Sequence, residues 1–406
     1  MLLIGWLVLQ FARREGAEGT LLSYIKSALG PGVAFVGAVA LAFGYLMIAI
    51  VCVAGFAIYL APLLGFVNAD PESTTYQVIV VVVVMTLAAM VMIIGVHLST
   101  RAAMVLEVLS VLAILVVVIA VFATNGLSSA PLTPKDFGMS TVTGGMVLAI
   151  LSFVGFESAA NLGVEAKDPA RSVPRAVIGS TIIVGVLFSL SAYSQLEGFG
   201  SGAAIAQSSA PFNDLATNAG IGWMGYLVDI GAVASFFACI TGSLNAGSRL
   251  LFEIARDGFL PMSFGRAHRV RMTPHRSIIA LSVVCAALSI IMMLTTSSVI
   301  DVLGVAGTVG TFGYMFAYIL MAVGIIAYMK RRGESVVLPA IIGLIAAAAL
   351  IYVIYRNIEA ATVAPYSYLH WVFLGVVAAA VLWYLAGRGR RRPTPVTEEV
   401  RADSLA

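Results

Sequence analysis

The sequence predicts an all-α polytopic membrane protein whose helices cross the bilayer about eleven times. Three observations carry that reading. Of 406 residues, 60% are hydrophobic and only 11% charged, and the mean hydropathy is +1.01. A water-soluble domain has no use for so much apolar surface, so lipid must take it up. Charges fall in short clusters between apolar stretches longer than about 18 residues, the pattern spanning helices require. The basic residues also alternate from one set of connections to the other.

In chain order the apolar segments are 1–12, 31–61, 75–95, 102–123, 141–160, 176–196, 221–248, 277–297, 301–328, 336–355 and 367–387. The first has twelve residues before Arg13, reaching about 18 Å where the hydrocarbon core needs about 30 Å. No positive flank precedes it and no small-residue cleavage site follows, which argues against a signal peptide. It is expected to be the end of a helix that begins upstream; the other reading is a short tilted or re-entrant helix. The run 75–95 is rich in β-branched residues. In lipid only helices or closed barrels satisfy the backbone, and about 20 residues is too long for a barrel strand. The connection 197–220, with Gly198, Gly200, Gly202 and several serines, reads as a loop partly covering an entrance.

All of the 23 Lys and Arg except Lys135 and Arg356 fall in one set of connections, from Arg13 and Arg14 to the Arg388–Arg392 cluster. The positive-inside rule places that set, and the C-terminus, in the cytoplasm of a cell whose plasma membrane the chain spans. The polar, proline-containing tail 388–406 is expected to be disordered. Its arginines read first as a positive-inside flank and only second as a headgroup contact; nucleic acid is not an expected partner. Cys52, Cys239 and Cys285 lie inside apolar runs, and the four histidines are scattered. They make neither a disulfide framework nor a metal site, and no phosphate-binding loop or nucleophile elbow is present. No cofactor is implied.

Segment 141–165 is the most informative. Gly144 and Gly145 open it, Gly155 and Gly163 interrupt it, and Ser152, Glu157, Ser158 and Asn161 add polar groups. Interrupted backbone at membrane depth is tolerated only around a cavity or a protein interior. Its freed carbonyls and amides suit a zwitterionic or ionic solute. A glycine packing face with Glu157 hydrogen-bonded to a neighbouring helix is the competing reading. EAKDPARSVPRA (165–176) follows. There Pro169 is expected to end one element and Pro174 to sit in the first turn of the next. Lys167, Arg171 and Arg175 mark the basic side, with Glu165 and Asp168 available to pair with them.

Phe153–Val177 (FVGFESAANLGVEAKDPARSVPRAV), Ser248–Pro261 (SRLLFEIARDGFLP) and Ala12–Pro31 (ARREGAEGTLLSYIKSALGP) together resemble the amino acid–polyamine–organocation permeases. The resemblance covers nearly the whole chain. It implies a single transmembrane domain, 1–387, of two inverted five-helix repeats plus two extra helices. By that alignment 1–123 is the remainder of the first repeat, 141–328 the second and 336–387 the additional pair. Segment 1–12 resembles the end of the second family helix, so the first is expected to be missing, leaving about eleven helices.

The resemblance also implies that substrate binds where the sixth helix unwinds, matched here by Ser152, Phe153, Gly155, Phe156, Glu157, Ser158 and Asn161. Carbonyls near Ser152–Gly155 are candidates for a substrate ammonium. Phe153 or Phe156 either closes over the substrate or simply packs. Glu157 is the gating or proton-sensitive candidate. Glu107 reads as a coupling-ion group or as a glutamate paired across a helix interface. Ser110 stands nearest to where some proton-coupled relatives carry a lysine. Asp229, Ser235, Thr241, Ser243 and Asn245 make 221–248 polar and either line the pathway or bond helix to helix. Tyr314 and Tyr318 are weaker pathway candidates, and Arg256 and Asp257 match the family's inner loop.

The expected activity is uptake or exchange of an amino acid by alternating access, driven by protons or sodium, in a monomer or homodimer and without covalent chemistry. A polyamine or other organic cation is the alternative solute. A non-transporting sensor, assembly partner or inactive fragment is the alternative class; an enzyme acting on lipid has no paired carboxylates or metal spacing to support it.

Overall fold

The computed structural model describes residues 1–15, 20–65, 69–95, 98–133, 139–156, 169–208, 210–267 and 273–387. All the regular structure in them is helical. With no water in the hydrocarbon to satisfy peptide groups, each helix closes its own hydrogen bonds. Among the described residues nine helices are long and apolar enough to cross a membrane. They lie in α3 (Pro31–Leu63), α4 (Thr74–Ile94), α5 (Leu98–Asn125), α7 (Pro169–Phe199), α10 (Trp223–Arg256), α11 (His275–Thr295), α12 (Val299–Arg331), α13 (Val337–Ala360) and α14 (Tyr366–Gly387).

The other two expected spans are shorter. Helix α1 (Leu2–Glu15) has 14 residues and α6 (Met139–Phe153) has 15. Two further expectations are corrected. The connection 197–220 is not merely a loop, because α8 (Gly202–Ala206) and α9 (Pro211–Asn218) form within it. Pro211 and the Ser201 cap, whose hydroxyl accepts from Ala204 N, start these two helices. Helix α7 begins at Pro169, so Pro169 rather than Pro174 occupies the first helical position. Pro169 supplies the preset φ and the dispensable amide that a helix start favours. Pro174 lies one turn further in.

Helices α3 and α12, each of 33 residues, form the centre. Both are apolar on every side, and glycine decides which faces meet. A β-carbon on Gly44 would lie 2.8 Å from the Tyr314 ring and 3.2 Å from the Gly310 carbonyl oxygen. One on Gly313 would strike the Ala40 carbonyl oxygen and stand 3.2 Å from Gly44 N. Without side chains at these points the two backbones approach closely, which is how membrane helices gain packing energy when lipid supplies no hydrophobic drive. Helix α10 crosses α3 on another side, α11 packs on α4, and α13 and α14 flank α12.

Polar contacts sort the connections into two ends. Thr20 caps the short helix α2 (Leu21–Leu29), accepting from Ser23 N at 3.2 Å, while Ser23 Oγ accepts from Thr20 N at 2.9 Å. From α2, Lys26 pairs with Asp257 at 2.7 Å, and Ser27 O accepts from Arg331 Nη1 at 3.0 Å. Arg14 donates from Nε and Nη2 to Glu334 Oε2 at 2.8 and 2.7 Å. These residues therefore share one end, as the charge pattern requires. At the far ends of α3 and α12, Glu72 accepts from Val299 N at 3.1 and 3.2 Å, an acid at a helix N-terminus. The basic end thus opposes an acidic one.

The Arg14 hydrogen bond, aided by Arg332, holds the Glu334 carboxyl below its ordinary value of 4.5. A depressed carboxylate stabilises the fold above that value and stops doing so as pH falls through the depressed one. Glu334→Gln is expected to flatten the acid side of a melting-temperature profile and leave neutral pH nearly unchanged, because an exposed pair contributes little. An unaltered acid limb would remove Glu334 from that role.

Candidate functional site

Helix α6 stops at Phe153, and Val154–Phe156 form a turn. Val154 N donates to Leu151 O at 3.0 Å, a tightened last turn. Gly155 has φ +102, a conformation that side chains with a β-carbon rarely adopt. The last carbonyls of a helix lack partners within it. Ser152 is exposed and donates to Leu148 O at 3.0 Å, one turn back.

Two aromatic rings straddle the interruption. Phe153 meets Phe188 of α7 edge-on, with centroids 5.6 Å apart. Phe156 turns the other way, 6.1 Å from the Tyr318 ring of α12 and close to Gly5 of α1. Beside Phe153 a cleft of about 680 Å³ opens between α1 and α7, walled by Leu2, Leu3, Ile182, Val186 and Leu190. Thr181 and Ser189 supply its few hydroxyls. Of the expected binding residues, Ser152, Phe153, Gly155 and Phe156 stand at the end of α6, and of these Phe153 lines the cleft. Glu157, Ser158 and Asn161 lie outside the described residues, as do Glu165 and Lys167.

The coupling candidates gather elsewhere, where α5 meets α10. Ser235 donates to a Glu107 carboxylate oxygen. Ser110 is buried and packs on Gly231, where a β-carbon would meet its hydroxyl and Cα. Asp229 is 1% exposed. Asn213 of α9 donates to both of its oxygens, at 2.9 and 2.8 Å, which is what a buried carboxylate needs. Thr241 bonds the Phe237 and Ala238 carbonyls of its own helix. Ser243 stands 3.9 Å from Cys239 Sγ. Helix α6 packs on α12, α13 and α7, whereas α5 packs on α10, α7 and α9, so α7 touches both groups.

Sequence reasoning did not single out Asn213. Its signal was a lone amide in PFNDL, just after a proline that can open a helix. It also missed the aromatic series from Phe156 through Tyr318 and Tyr314 to Tyr45, with centroids 6.1, 6.3 and 5.3 Å apart. At the basic end, Arg171 and Pro174 lie in the first turns of α7, and Arg175 is exposed. Arg256 places its guanidinium 5.7 Å from the Phe252 ring centre, while Asp257 closes α10 and holds Lys26.

The amino acid permease family model matches residues 1–384. The chain belongs to the amino acid permease family. Among its permease relatives, a branched-chain amino acid permease of Lactococcus lactis subsp. cremoris is 29% identical over 198 residues, 49% of this chain and 40% of the relative. A second branched-chain amino acid permease, from Bacillus subtilis, is 24% identical over 253 residues, 61% of this chain and 51% of the relative. A D-serine/D-alanine/glycine transporter of Escherichia coli is 26% identical over 197 residues, 48% and 41% of the two chains. The permease chain thus spans about half the length of these relatives.

Proposed function

We propose that the protein is a secondary transporter that takes up or exchanges amino acids across the plasma membrane, with its basic end in the cytoplasm. The observation that carries this reading is the interruption of α6 at Phe153, with Gly155 at φ +102 beside a cleft of about 680 Å³. A helix end at membrane depth exposes carbonyls suited to an ammonium group. The cleft's leucine, isoleucine and valine walls suit an apolar side chain, which favours branched-chain solutes, the class named in two of the relatives. Among the described residues no carboxylate lines it, which fits a polyamine less well.

In this reading Ser152, Phe153, Gly155 and Phe156, with Glu157, Ser158 and Asn161, hold the solute. The inverted-repeat arrangement supplies alternating access: a bundle containing α1, α6 and α7 rocks against a scaffold of α3, α4, α10 and α11. Glu107, Ser110, Asp229 and Ser235 are the candidates for coupling to protons or sodium. Transport needs no bond made or broken.

Radiolabelled uptake into proteoliposomes, with and without sodium and a pH gradient, is the test. Leucine, isoleucine and valine are expected to enter fastest. Gly155→Val places a branched side chain where φ is positive, a strain of about 1–3 kcal/mol, and should cut uptake at least tenfold while insertion persists. Glu157→Gln should change the pH profile of uptake. Wild-type vesicles that accumulate no amino acid under any gradient would overturn the proposal; normal uptake by both variants would remove the α6 break from it.

A further inference from the structure

At the basic end, α2 and α10 enclose a cleft of about 520 Å³, within the usual range for small-molecule sites. Past Leu22, Arg249 and Glu253 it continues into a narrower space of about 100 Å³ that reaches Leu41, Tyr45 and Leu250. Five charged side chains border the wider part. Three are already engaged: Lys26 pairs with Asp257 at 2.7 Å, and Arg256 lies over Phe252. That leaves one cation and one anion, Arg249 and Glu253, which line both parts.

These two stand four residues apart on α10 and so share a face of the helix. Among the described residues neither side chain makes a hydrogen bond or an ion pair within 4 Å, although the Glu253 carbonyl oxygen accepts from Asp257 N. They do not close on each other either, and their order, base before acid, is the weaker one for such a pair. Opposite charges left open beside an apolar recess match an α-amino acid: a carboxylate, an ammonium and a side chain. The narrow end runs to Tyr45, the first ring of the series that leads through Tyr314 and Tyr318 to Phe156.

We propose that this cleft is a second amino-acid site. Arg249 receives the α-carboxylate, Glu253 the α-ammonium, and the recess at Leu41 and Leu250 the side chain. The four aromatic rings separate it from the α6 opening, so a solute released past them rests here before leaving. The inference depends on the transport reading above.

Equilibrium dialysis of the purified full chain with radiolabelled L-leucine, beside leucine uptake in proteoliposomes, tests it. Two leucines are expected to bind per chain, falling to one in Arg249→Gln and in Glu253→Gln. Leucinamide, which lacks the carboxylate, and 4-methylpentanoate, which lacks the ammonium, should displace the second leucine at least tenfold more weakly than leucine does. One leucine per chain, unchanged in both variants while uptake persists, would overturn the second site and leave the transport reading standing. Neither binding nor uptake of leucine would overturn both. Should a variant fail to insert, the unaltered chain still decides, since a single bound leucine refutes the proposal.

Discussion

Gly313→Leu is expected to abolish most of the folded protein. At this point α12 lies against the backbone of α3, and the first atom of any side chain would collide with the Ala40 carbonyl oxygen. The Gly44 amide nitrogen, 3.2 Å away, offers no room on the other side. Overpacking usually costs about 1–3 kcal/mol, because neighbouring side chains can rotate away. Backbone atoms cannot, so the cost should lie at or above the top of that range, roughly a hundredfold in the folded ratio. Gly375→Leu on α14 is the control, since nothing lies within 4 Å of a β-carbon there. Size-exclusion yield and melting temperature in detergent should collapse for the first and hold for the second. Equal yields would show that the α3–α12 contact is not what assembles the bundle.

Asn213→Leu should have the next largest effect. It strips both hydrogen bonds from Asp229, which is 1% exposed. A hydrogen bond to a charged group contributes about 1.5–3 kcal/mol, and the carboxylate left behind must be desolvated without help. Melting should therefore fall by more than for Asp229→Leu, which removes the charge itself. The double variant should recover most of the loss, because it buries two apolar groups in place of an orphaned acid. Uptake then separates the two readings of Asp229: a double variant that melts normally and does not transport makes it a coupling group, while normal transport makes the pair structural. Additive losses in the two single variants would refute the interaction.

Length and apolarity made most of the architecture readable, because a spanning helix has few other ways to be written. The alternation of basic connections was readable for a similar reason: Arg14, Lys26, Asp257 and Arg331 do meet at one end. The facing sides of the central helices were not. Helices α3 and α12 are apolar all round, so no stripe marks the buried face. The glycines of α12 marked it only in part, because Gly310 and Gly313 meet Met47, Ala40 and Gly44 of α3 whereas Gly304 meets Tyr366 of α14.

The site was readable in part. Gly155 sits in α6's break as its residue type implied, because glycine in an apolar run has few uses besides close approach and unusual φ. The partner of Asp229 was hidden, since Asn213 belongs to a helix of eight residues inside a polar connection. The α7 boundary was misjudged because two prolines five residues apart both suit a helix start, and the chain uses Pro169.

The length of the central pair has a consequence for the surrounding bilayer. Thirty-three residues give about 50 Å of helix, far beyond the hydrocarbon thickness of about 30 Å. An isolated helix of that length would tilt to hide the excess, more so in a thin membrane. Here neighbours shield the central stretches, 67% buried in α3 and 72% in α12, against 11% in α7. Lipid thickness therefore acts on the outer helices first. Changing acyl-chain length should reorient α7 and α14 while the central pair keeps its angle, so that the membrane's dimensions tune the periphery of the protein and leave its axis fixed.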